Sequence, residues 1–360
     1  MKKIAIVCDW LTNFAGAERV ILALHELFPY APIYTSIYNS KKCPGFEKAD
    51  IKTSFLQYLP FAKNHHQAYL LLMPYAFENF DFSDYEVVIS SSHACAKGII
   101  TKPDTLHLCY CHSPMRYAWD DCHQYMREYN LPWPFSKLAP LLMTKMRIWD
   151  RASADRVDKF IANSYFVAKR IKKYYQKDSE VIYPFVDLDR FKIKSRVVKN
   201  SYFLALGRLI PYKKFDLLIE AFNFNGLALK IIGTGKDAKK LKKMAKNNIE
   251  FLGRVSDKQL EQYYQQAQAL IFPQVEDFGI VPLEAMACGT PIIAYQEGGA
   301  LETINARSGV FFDNQSSESL NQTINEFLTR SFDPKIVRKQ AEKFAKVNFE
   351  KQILKKIGLN

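Results

Sequence analysis

Residues 271–304 read IFPQVEDFGIVPLEAMACGTPIIAYQEGGALETI, and this stretch says more about the fold than any other part of the chain. One apolar strand is predicted to end at Pro273, and a second to run from Pro291 to Tyr295. Between them we expect a short helix from Pro282 to Gly289, because proline in a first turn and glycine after a last turn are typical helix boundaries. A strand, a helix and another strand in this order indicate a parallel sheet covered by helices.

Two carboxylates lie on either side of the turn before this predicted helix. Glu276 precedes Phe278-Gly279, and Glu284 lies eight residues beyond Glu276. The N-terminus of a helix presents unpaired N–H groups and the positive end of its dipole to an anion. Carboxylates that accept hydroxyl groups beside such an anion site suit a sugar attached to a phosphate.

The length and composition of the whole chain predict two globular domains. The 360 residues are 48% hydrophobic and 14% aromatic, which is enough for two packed interiors. The opening MKKIAIVCDW turns polar too early for a secretory signal, and no run approaches the roughly 20 apolar residues that cross a bilayer. Seven scattered cysteines fit a reducing compartment. We therefore expect a cytoplasmic protein, with peripheral contact to the inner face of the plasma membrane as an additional hypothesis.

The net charge of +13 indicates either that the protein binds an anionic partner or that its excess lysines only keep exposed helix faces hydrated. No nucleic-acid-binding motif is present, so we do not predict nucleic acid as a partner. Residues 55–77 and 135–156 mix basic with bulky apolar side chains. These two segments are either buried helices whose lysine side chains extend to solvent, or a surface that contacts anionic lipid. An anionic membrane surface is the partner that the charge favours.

Strands and helices alternate along both halves of the chain, which predicts an α/β protein with two doubly wound, Rossmann-like domains facing each other across a cleft. The strand pattern breaks near residues 183–187. We place the first domain, which we expect to bind an acceptor, at residues 1–185 and the second, which we expect to bind a sugar–phosphate donor, at 186–344. A terminal helix over about 345–360 is a candidate to pack back on the first domain. Ligands of such sheets bind beyond the carboxyl ends of the strands.

Glycine turns and basic residues are predicted at several strand ends of the second domain. Residues 201–222 read SYFLALGRLIPYKKFDLLIEAF, and Arg208 and Lys213 would lie just after the strand, where they can share a diphosphate. Further turns are predicted at residues 233–235 and 253–254. Basic residues in a loop can be ordinary surface groups. Several such turns in one domain favour a ligand site.

These motifs together resemble a known family. The spacing GRL-x3-K, followed by a glycine turn, FLG and the pair of glutamates in EDFGIVPLEAMACGTPIIAY, is similar to the retaining glycosyltransferases of family 4, which have the GT-B fold. AGAERV at 15–20 is similar to the glycine-rich first turn of that family. YCHSPMRYAWD at 110–120 resembles one subgroup, the bacterial mannosyltransferases of O-antigen and capsule assembly.

The resemblance implies roles for residues of the second domain. Arg208 and Lys213 would stabilise the donor's diphosphate as it leaves. Glu276 would bind hydroxyl groups of the transferred sugar, and Glu284 those of the ribose. Arg254 and its neighbours would frame the base. The residues implied to bind the donor are Gly16, Glu18, Gly207, Lys214, Gly233, Gly235, Arg254, Val255, Phe278, Gly279, Ile280, Val281 and Glu284.

The resemblance also implies roles for residues of the first domain. One residue of the second domain departs from the family pattern. His112 would face the reacting sugar, and Gly16 would lie where a loop closes over the donor, with Glu18 beside it. Lys214 stands where the family usually has glycine, which leaves open whether Lys213 or Lys214 reaches the phosphate. The residues implied to be catalytic are Arg208, Lys213, His112 and Glu276.

Two patterns invite a metal. Asp187-Leu188-Asp189 has the DxD form, but it lies in the linker and not after a strand of a nucleotide-binding domain. Cys109, Cys111, His112, Cys122 and His123 lack a standard zinc spacing, and cysteines on a buried strand explain them better. We predict no metal site and no cofactor.

The resemblance implies a metal-independent, retaining transferase that moves a hexose, with mannose from GDP-mannose favoured, to a lipid-linked or oligosaccharide acceptor in lipopolysaccharide or other cell-surface polysaccharide biosynthesis. Attack on the same face would let the leaving phosphate take the acceptor's proton. One alternative is a UDP-sugar donor. Another, from a different class, is a basic nucleic-acid- or membrane-binding protein without transferase activity.

Overall fold

The computed structural model describes residues 2–120, 122, 135–194 and 202–359. The chain divides into two compact units, Met1–Ile182 with Glu350–Asn360, and Tyr183–Phe349. Each unit contains one sheet, and the paired strands in both sheets run parallel. Among the helices of the described ranges, none is both long and apolar enough to cross a bilayer.

The first unit is built on a seven-stranded sheet of order β3-β2-β1-β4-β5-β6-β7. Its strand order reverses between β1 and β4, which is where ligands of doubly wound sheets bind. The strands are β1 Ile4–Cys8, β2 Ile33–Thr35, β3 Ile51–Thr53, β4 Val87–Ser92, β5 Leu106–Cys111, β6 Lys159–Ala162 and β7 Ser179–Val181. The helices are α1 Gly16–Leu27, α2 Met73–Glu78, α3 Phe135–Ser153 and α4 Tyr165–Tyr175, with 3-10 turns at Phe55–Tyr58, His66–Leu72, Ala96–Gly98 and Ala154–Arg156.

The second unit is built on a six-stranded sheet of order β10-β9-β8-β11-β12-β13, which reverses between β8 and β11. The strands are β8 Tyr202–Leu206, β9 Ala228–Ile232, β10 Ile249–Gly253, β11 Leu270–Phe272, β12 Ile292–Tyr295 and β13 Gly309–Phe312. The helices are α5 Phe215–Asn225, α6 Ala238–Met244, α7 Asp257–Gln266, α8 Ile280–Ala287, α9 Ala300–Thr303, α10 Ser317–Leu328 and α11 Pro334–Glu342, and a 3-10 turn covers Pro211–Lys213. The last helix, α12, covers Lys346–Lys356.

The apolar sequence runs become the strands because both faces of each sheet are covered. All five residues of β1 are buried, as are all six of β4. In the second unit, two apolar clusters pack on the two sides of the sheet: alternate residues of β8, such as Phe203 and Leu204, belong to different clusters. The prediction of two doubly wound, Rossmann-like domains is confirmed.

Some predicted element boundaries differ from the structure. Helix α8 starts at Ile280 and not at Pro282, because Gly279 takes a left-handed φ of +91° that turns the chain into the helix. Proline is tolerated throughout a first turn, so Pro282 does not mark the first residue. The terminal helix expected over about 345–360 corresponds to α12, which covers Lys346–Lys356.

Gly233 lies at a turn where no side chain fits. Its φ is +142°, and a Cβ placed there would lie 1.8 Å from the carbonyl oxygen of Gly207. We expect Gly233→Ala to lower the free energy of unfolding by about 3 kcal/mol or more, since backbone strain and overpacking add. Gly226→Ala is the matched control, because Gly226 has a φ of +71° but no heavy atom within 4 Å of a Cβ. It should cost only about 1–2 kcal/mol from strain. Equal losses of the free energy of unfolding in the two variants, measured by urea titration, would contradict the packing explanation.

Candidate functional site

Three strand-end turns of the second unit are hydrogen-bonded to one another. After β8, Gly207 N–H donates to Ile232 O at 3.0 Å, and Leu209 N–H donates to Thr234 O at 3.0 Å. After β9, Gly233 N–H donates to Gly253 O at 2.8 Å. The turns after β8, β9 and β10 therefore form one connected edge.

This edge explains why Gly233 and Gly235 are glycines. A Cβ on Gly235 would lie 2.2 Å from Leu209 O, and one on Gly233 would meet Gly207 O. The resemblance implied that both glycines bind the donor. In the structure, the neighbouring turn already occupies the space that a side chain would need. A role in donor binding stays a prediction for both residues.

Lys213 and Glu276 form an ion pair at the same edge. Lys213 ends the 3-10 turn after β8, and Glu276 lies in the loop between β11 and α8. Their side chains are only 14% and 19% exposed. The structure thus brings together the predicted phosphate-binding cation and the predicted sugar-binding carboxylate.

Lys214 occupies a left-handed position, with a φ of +55°. It is the N-cap of α5, and its side chain does not cap that helix. Only glycine adopts this conformation without strain, which is the physical reason for a glycine at this point of the pattern.

Glu284 lies on α8 and is 4% exposed. The hydroxyl group of Tyr264, on α7, donates to its Oε2 at 3.0 Å. The sequence pattern gave no reason to select Tyr264, because the two residues lie on different helices. The structure places Glu284 one turn into a helix, and its contact with ribose stays a prediction.

The loop before α8 is anchored by its aromatic residue. The side chain of Phe278 is buried and stacks on Tyr183, with 5.7 Å between ring centroids, and it also packs against Phe344. No side chain caps α8 at Gly279. The first N–H groups of a helix have no partner inside the helix, so residues 278–281 can present them to an anion.

Gly298 and Gly299 hold the same loop from the other side. Gly299 N–H donates to Glu276 O at 2.9 Å, and a Cβ on Gly299 would lie 2.4 Å from the Cα of Phe278. The sequence prediction did not include this pair. The signal was available as two adjacent glycines that begin three residues after the end of a strand.

The remaining predicted residues of this unit lie at the same strand ends. Arg208 is exposed directly after Gly207, and Arg254 is exposed directly after β10. Val255 is half-buried and packs against an apolar cluster. The structure shows their position, and their contacts with a donor stay predictions.

In the first unit, Glu18 caps the helix that was predicted to bind the donor. Gly16 is the first residue of α1, and Glu18 Oε2 accepts the N–H of Ala15 at 2.9 Å. Glu18 Oε1 accepts a hydrogen bond from the side-chain amide of Asn13, Nδ2, at 3.4 Å. Burial raises the pKa of Glu18. Because this side chain already serves the helix N-terminus, it competes there with any incoming anion.

His112 follows β5 and is a neutral imidazole. Burial lowers its pKa to about 3, and its Nε2 shares a hydrogen bond of 2.8 Å with Ser91 Oγ. A neutral imidazole can donate and accept hydrogen bonds but brings no positive charge near pH 7. Its ring centroid lies 6.3 Å from that of His93, which is paired with Asp9. Neither Asp9 nor His93 was predicted, because no local motif links residues 84 positions apart.

Several residues of the two metal-like sequence patterns have other contacts in the structure. Asp187 Oδ1 accepts the N–H groups of Asp189 and Arg190 at 3.1 and 3.0 Å, which makes it a turn cap. Within the described ranges, no group of three or more His, Cys, Asp or Glu side chains is arranged to hold a metal. Cys109 and Cys111 are buried in one apolar cluster, and His123 lies outside the described residues.

Two family models match the chain. Residues 187–346 match the model of glycosyl transferases group 1, and residues 14–190 match the model of Glycosyltransferase Family 4. The chain belongs to the family 4 glycosyltransferases. The two matches together run from residue 14 to residue 346.

Named relatives of this family 4 protein include mannosyltransferases. The O-antigen chain mannosyltransferase RfbU of Salmonella typhimurium is 34% identical over 155 residues, which cover 40% of this chain and 43% of RfbU. The GDP-mannose-dependent alpha-(1-6)-phosphatidylinositol monomannoside mannosyltransferase of Mycobacterium tuberculosis is 30% identical over 178 residues, which cover 41% of this chain and 46% of that protein. The chain thus spans about half the length of these curated relatives.

Solved structures agree with the fold. HepE of Anabaena, in complex with UDP and glucose, matches with a TM-score of 0.70 at 17% identity, over 99% of this chain and 100% of HepE. At this identity the likeness concerns the fold alone. The GT-B fold predicted for the family 4 chain is confirmed.

Lys214→Gly should stabilise the second unit. Removing the left-handed strain of a side chain gains about 1–2 kcal/mol, and the added freedom of glycine in the unfolded chain offsets about 0.5–1 kcal/mol of it. We expect a net gain of about 0.5–1 kcal/mol in the free energy of unfolding, measured by urea titration. Lys214→Ala is the control, because alanine keeps the strain and should show no gain. A stabilisation of equal size in both variants would contradict this explanation.

Proposed function

We propose that the protein is a hexosyltransferase that uses a nucleotide-sugar donor. The observation that carries this proposal is the Lys213–Glu276 ion pair at the strand-end edge of the second unit, next to Arg208 and the uncapped N-terminus of α8. Cations and N–H groups fit a diphosphate, and carboxylates fit sugar hydroxyls. Both halves of a nucleotide sugar therefore have chemically matched partners on one edge.

The proposed chemistry follows from the charges that develop when the anomeric bond breaks. Positive character grows on the sugar ring, and negative charge grows on the departing nucleoside diphosphate. Lys213 and Arg208 would stabilise that negative charge in the transition state. Glu276 would accept hydroxyl groups of the hexose once Lys213 turns to the phosphate.

We infer retention of the anomeric configuration and independence of metal ions. Two cations of the protein can neutralise the leaving group, so no metal is needed for that task. No carboxylate of the site is an evident nucleophile, because Glu276 is better explained as a ligand of the sugar hydroxyl groups. The leaving phosphate would therefore take the acceptor's proton on the same face of the sugar.

GDP-mannose is the donor that the relatives favour. One relative is named as GDP-mannose-dependent and another as an O-antigen chain mannosyltransferase, each over less than half of its length. We propose mannose transfer to a lipid-linked or oligosaccharide acceptor of cell-surface polysaccharide synthesis. A UDP-sugar is the competing donor.

The melting temperature of the protein, measured with GDP, UDP and ADP and with their hexose conjugates, tests the choice of donor, since a specific ligand raises the melting temperature. A rise with none of these donors would sink the proposal.

Arg208→Ala and Lys213→Ala should lower the transfer rate more than donor affinity. We expect kcat to fall by about 10²–10³-fold, as for other groups that stabilise transition-state charge. Assays in EDTA test metal independence at the same time, and the wild-type rate should be unchanged. Lys239→Ala is the matched control, because Lys239 is exposed on α6. Full activity in either of the two basic variants would overturn the mechanism.

Peripheral binding to an anionic membrane would bring a lipid-linked acceptor to the enzyme. Segment 55–77 exposes Tyr58, Phe61 and Tyr75, by 85%, 79% and 62% respectively, and Lys63 lies among them. Exposed aromatic rings next to basic side chains are typical of surfaces that enter lipid headgroups. We propose this segment as the membrane contact.

The double variant Tyr58→Ser with Tyr75→Ser should reduce sedimentation with anionic vesicles at low salt, because it removes buried apolar area from the lipid contact. Phe224→Ser is the control, since Phe224 is 85% exposed on α5 in the other unit. Equal loss in both variants, or no sedimentation of the wild type, would refute membrane contact through this segment.

A further inference from the structure

The loop after β5, residues 112–120, begins with His112 and is held by a side chain from the neighbouring strand end. Strands β5 and β6 are paired up to their last residues, so His112 and Asn163 leave the sheet side by side. Asn163 is 5% exposed, and its Nδ2 donates to His112 O at 3.0 Å. From the other side, His112 N–H donates to Ser92 O at 2.9 Å. The backbone of His112 is thus fixed by both neighbouring strand ends.

Arg170 holds the same loop at two further points. It lies on α4 and is 7% exposed, which is rare for an arginine unless its charge is paired. Its Nη1 donates to Ser113 Oγ at 2.7 Å, and its Nε lies 2.5 Å from Asp120 Oδ2. Ser113 is the second residue of the loop and Asp120 is the last. One guanidinium therefore joins the two ends of the loop.

The start of α4 fixes the orientation of the Asn163 amide. Ser164 is the N-cap of α4, since its Oγ accepts the N–H of Val167 at 3.0 Å. The same hydroxyl donates to Asn163 Oδ1 at 3.1 Å. Because an amide accepts through oxygen and donates through nitrogen, the Nδ2 of Asn163 is left to donate to His112.

The His112 side chain depends on where its backbone lies. Its Nε2 shares a hydrogen bond of 2.8 Å with Ser91 Oγ. Burial and the neighbouring His93 lower the pKa of His112 to about 3, against the opposing effect of Asp9. A shift of the loop would break the hydrogen bond and expose the imidazole to water. In enzymes, a misplacement of about 1 Å can lower the rate by about 10²-fold.

We propose that Asn163 and Arg170 are positioning residues, which hold the loop after β5 so that His112 stays in place for the transfer reaction. This inference rests on the proposed transferase function and on the role that the family resemblance implies for His112. Both residues act through His112, and neither is a catalytic residue.

Two charge-conserving variants test this proposal. Asn163→Leu removes the donor to His112 O at a similar side-chain volume. Arg170→Lys keeps the positive charge but loses the planar fork that reaches two partners. His93 and Asp9 are unchanged in both variants, so a change in the pKa of His112 would report its surroundings and not a lost charge.

NMR titration of the histidine imidazoles is the first measurement. In the wild type, His112 should stay neutral between about pH 5 and 8, because its pKa lies near 3. In Asn163→Leu and in Arg170→Lys, we expect water to reach the imidazole and the pKa of His112 to rise toward its ordinary value of about 6.5, so that His112 is protonated within this range.

Tyr175→Phe is the matched control. Tyr175 is a buried residue of α4, and its hydroxyl group donates to Asp150 Oδ2 at 2.8 Å. This variant should melt at a lower temperature, because it removes a buried hydrogen bond, but His112 should stay neutral. Protonation of His112 in this pH range in the wild type or in Tyr175→Phe would overturn the positioning role, as would its absence in either of the two test variants.

A double-mutant cycle on the transfer rate is the second measurement. Asn163→Leu alone should lower kcat by about ten- to a hundredfold. In the His112→Ala background the same change should have little further effect, because residues that act through one another are not additive. Additive losses would overturn the proposal, since they would show that Asn163 acts on the reaction independently of His112.

Binding of nucleotide sugars to the wild type, measured by calorimetry, keeps this inference distinct from the proposed function. If none of the GDP, UDP and ADP sugars binds, the transferase proposal fails. If one of them binds and the titration of His112 or the mutant cycle gives the contrary result, only the positioning role of Asn163 and Arg170 fails.

Discussion

The ion pair between Lys213 and Glu276 links the two segments on which the candidate donor site depends. Lys213 follows β8 and Glu276 follows β11, and these strands are neighbours where the sheet order reverses. Both side chains are largely buried, so the cost of desolvation offsets much of their attraction and the pair contributes little net stability. Its importance lies in an exchange of partners: at this edge a diphosphate would replace Glu276 beside Lys213, and a hexose would replace Lys213 beside Glu276.

Backbone packing supplies the rigid frame around that pair. Gly233 and Gly235 let the turns after β8 and β9 approach more closely than any side chain would permit. Gly299 does the same for the loop that carries Glu276 and Phe278. In the first unit, the carboxylate of Asp9 has the equivalent task, because it gathers three backbone N–H groups and one imidazole after β4. In both units, therefore, short-range contacts hold the strand ends together.

Sequence patterns predicted the secondary-structure elements well, but they explained the roles of individual residues less well. Apolar runs and helix-boundary residues predicted the strand–helix–strand order of residues 271–304, because burial of the apolar faces decides these elements locally. The left-handed φ of Lys214 and the capping role of Glu18 required coordinates. The Asp9–His93 pair was out of reach as well, since its residues are brought together only when β1 pairs with β4.

The affinity of the second unit for a bare nucleoside diphosphate tests the central claim most directly. Calorimetry should compare the wild type with Glu276→Gln, using whichever of GDP, UDP or ADP binds best. If Lys213 exchanges Glu276 for phosphate, removing the carboxylate charge frees the lysine, and the diphosphate should bind about two- to fivefold more tightly. Weaker binding in Glu276→Gln would contradict this account, because it would show that the carboxylate holds Lys213 in place for the phosphate and does not compete with it.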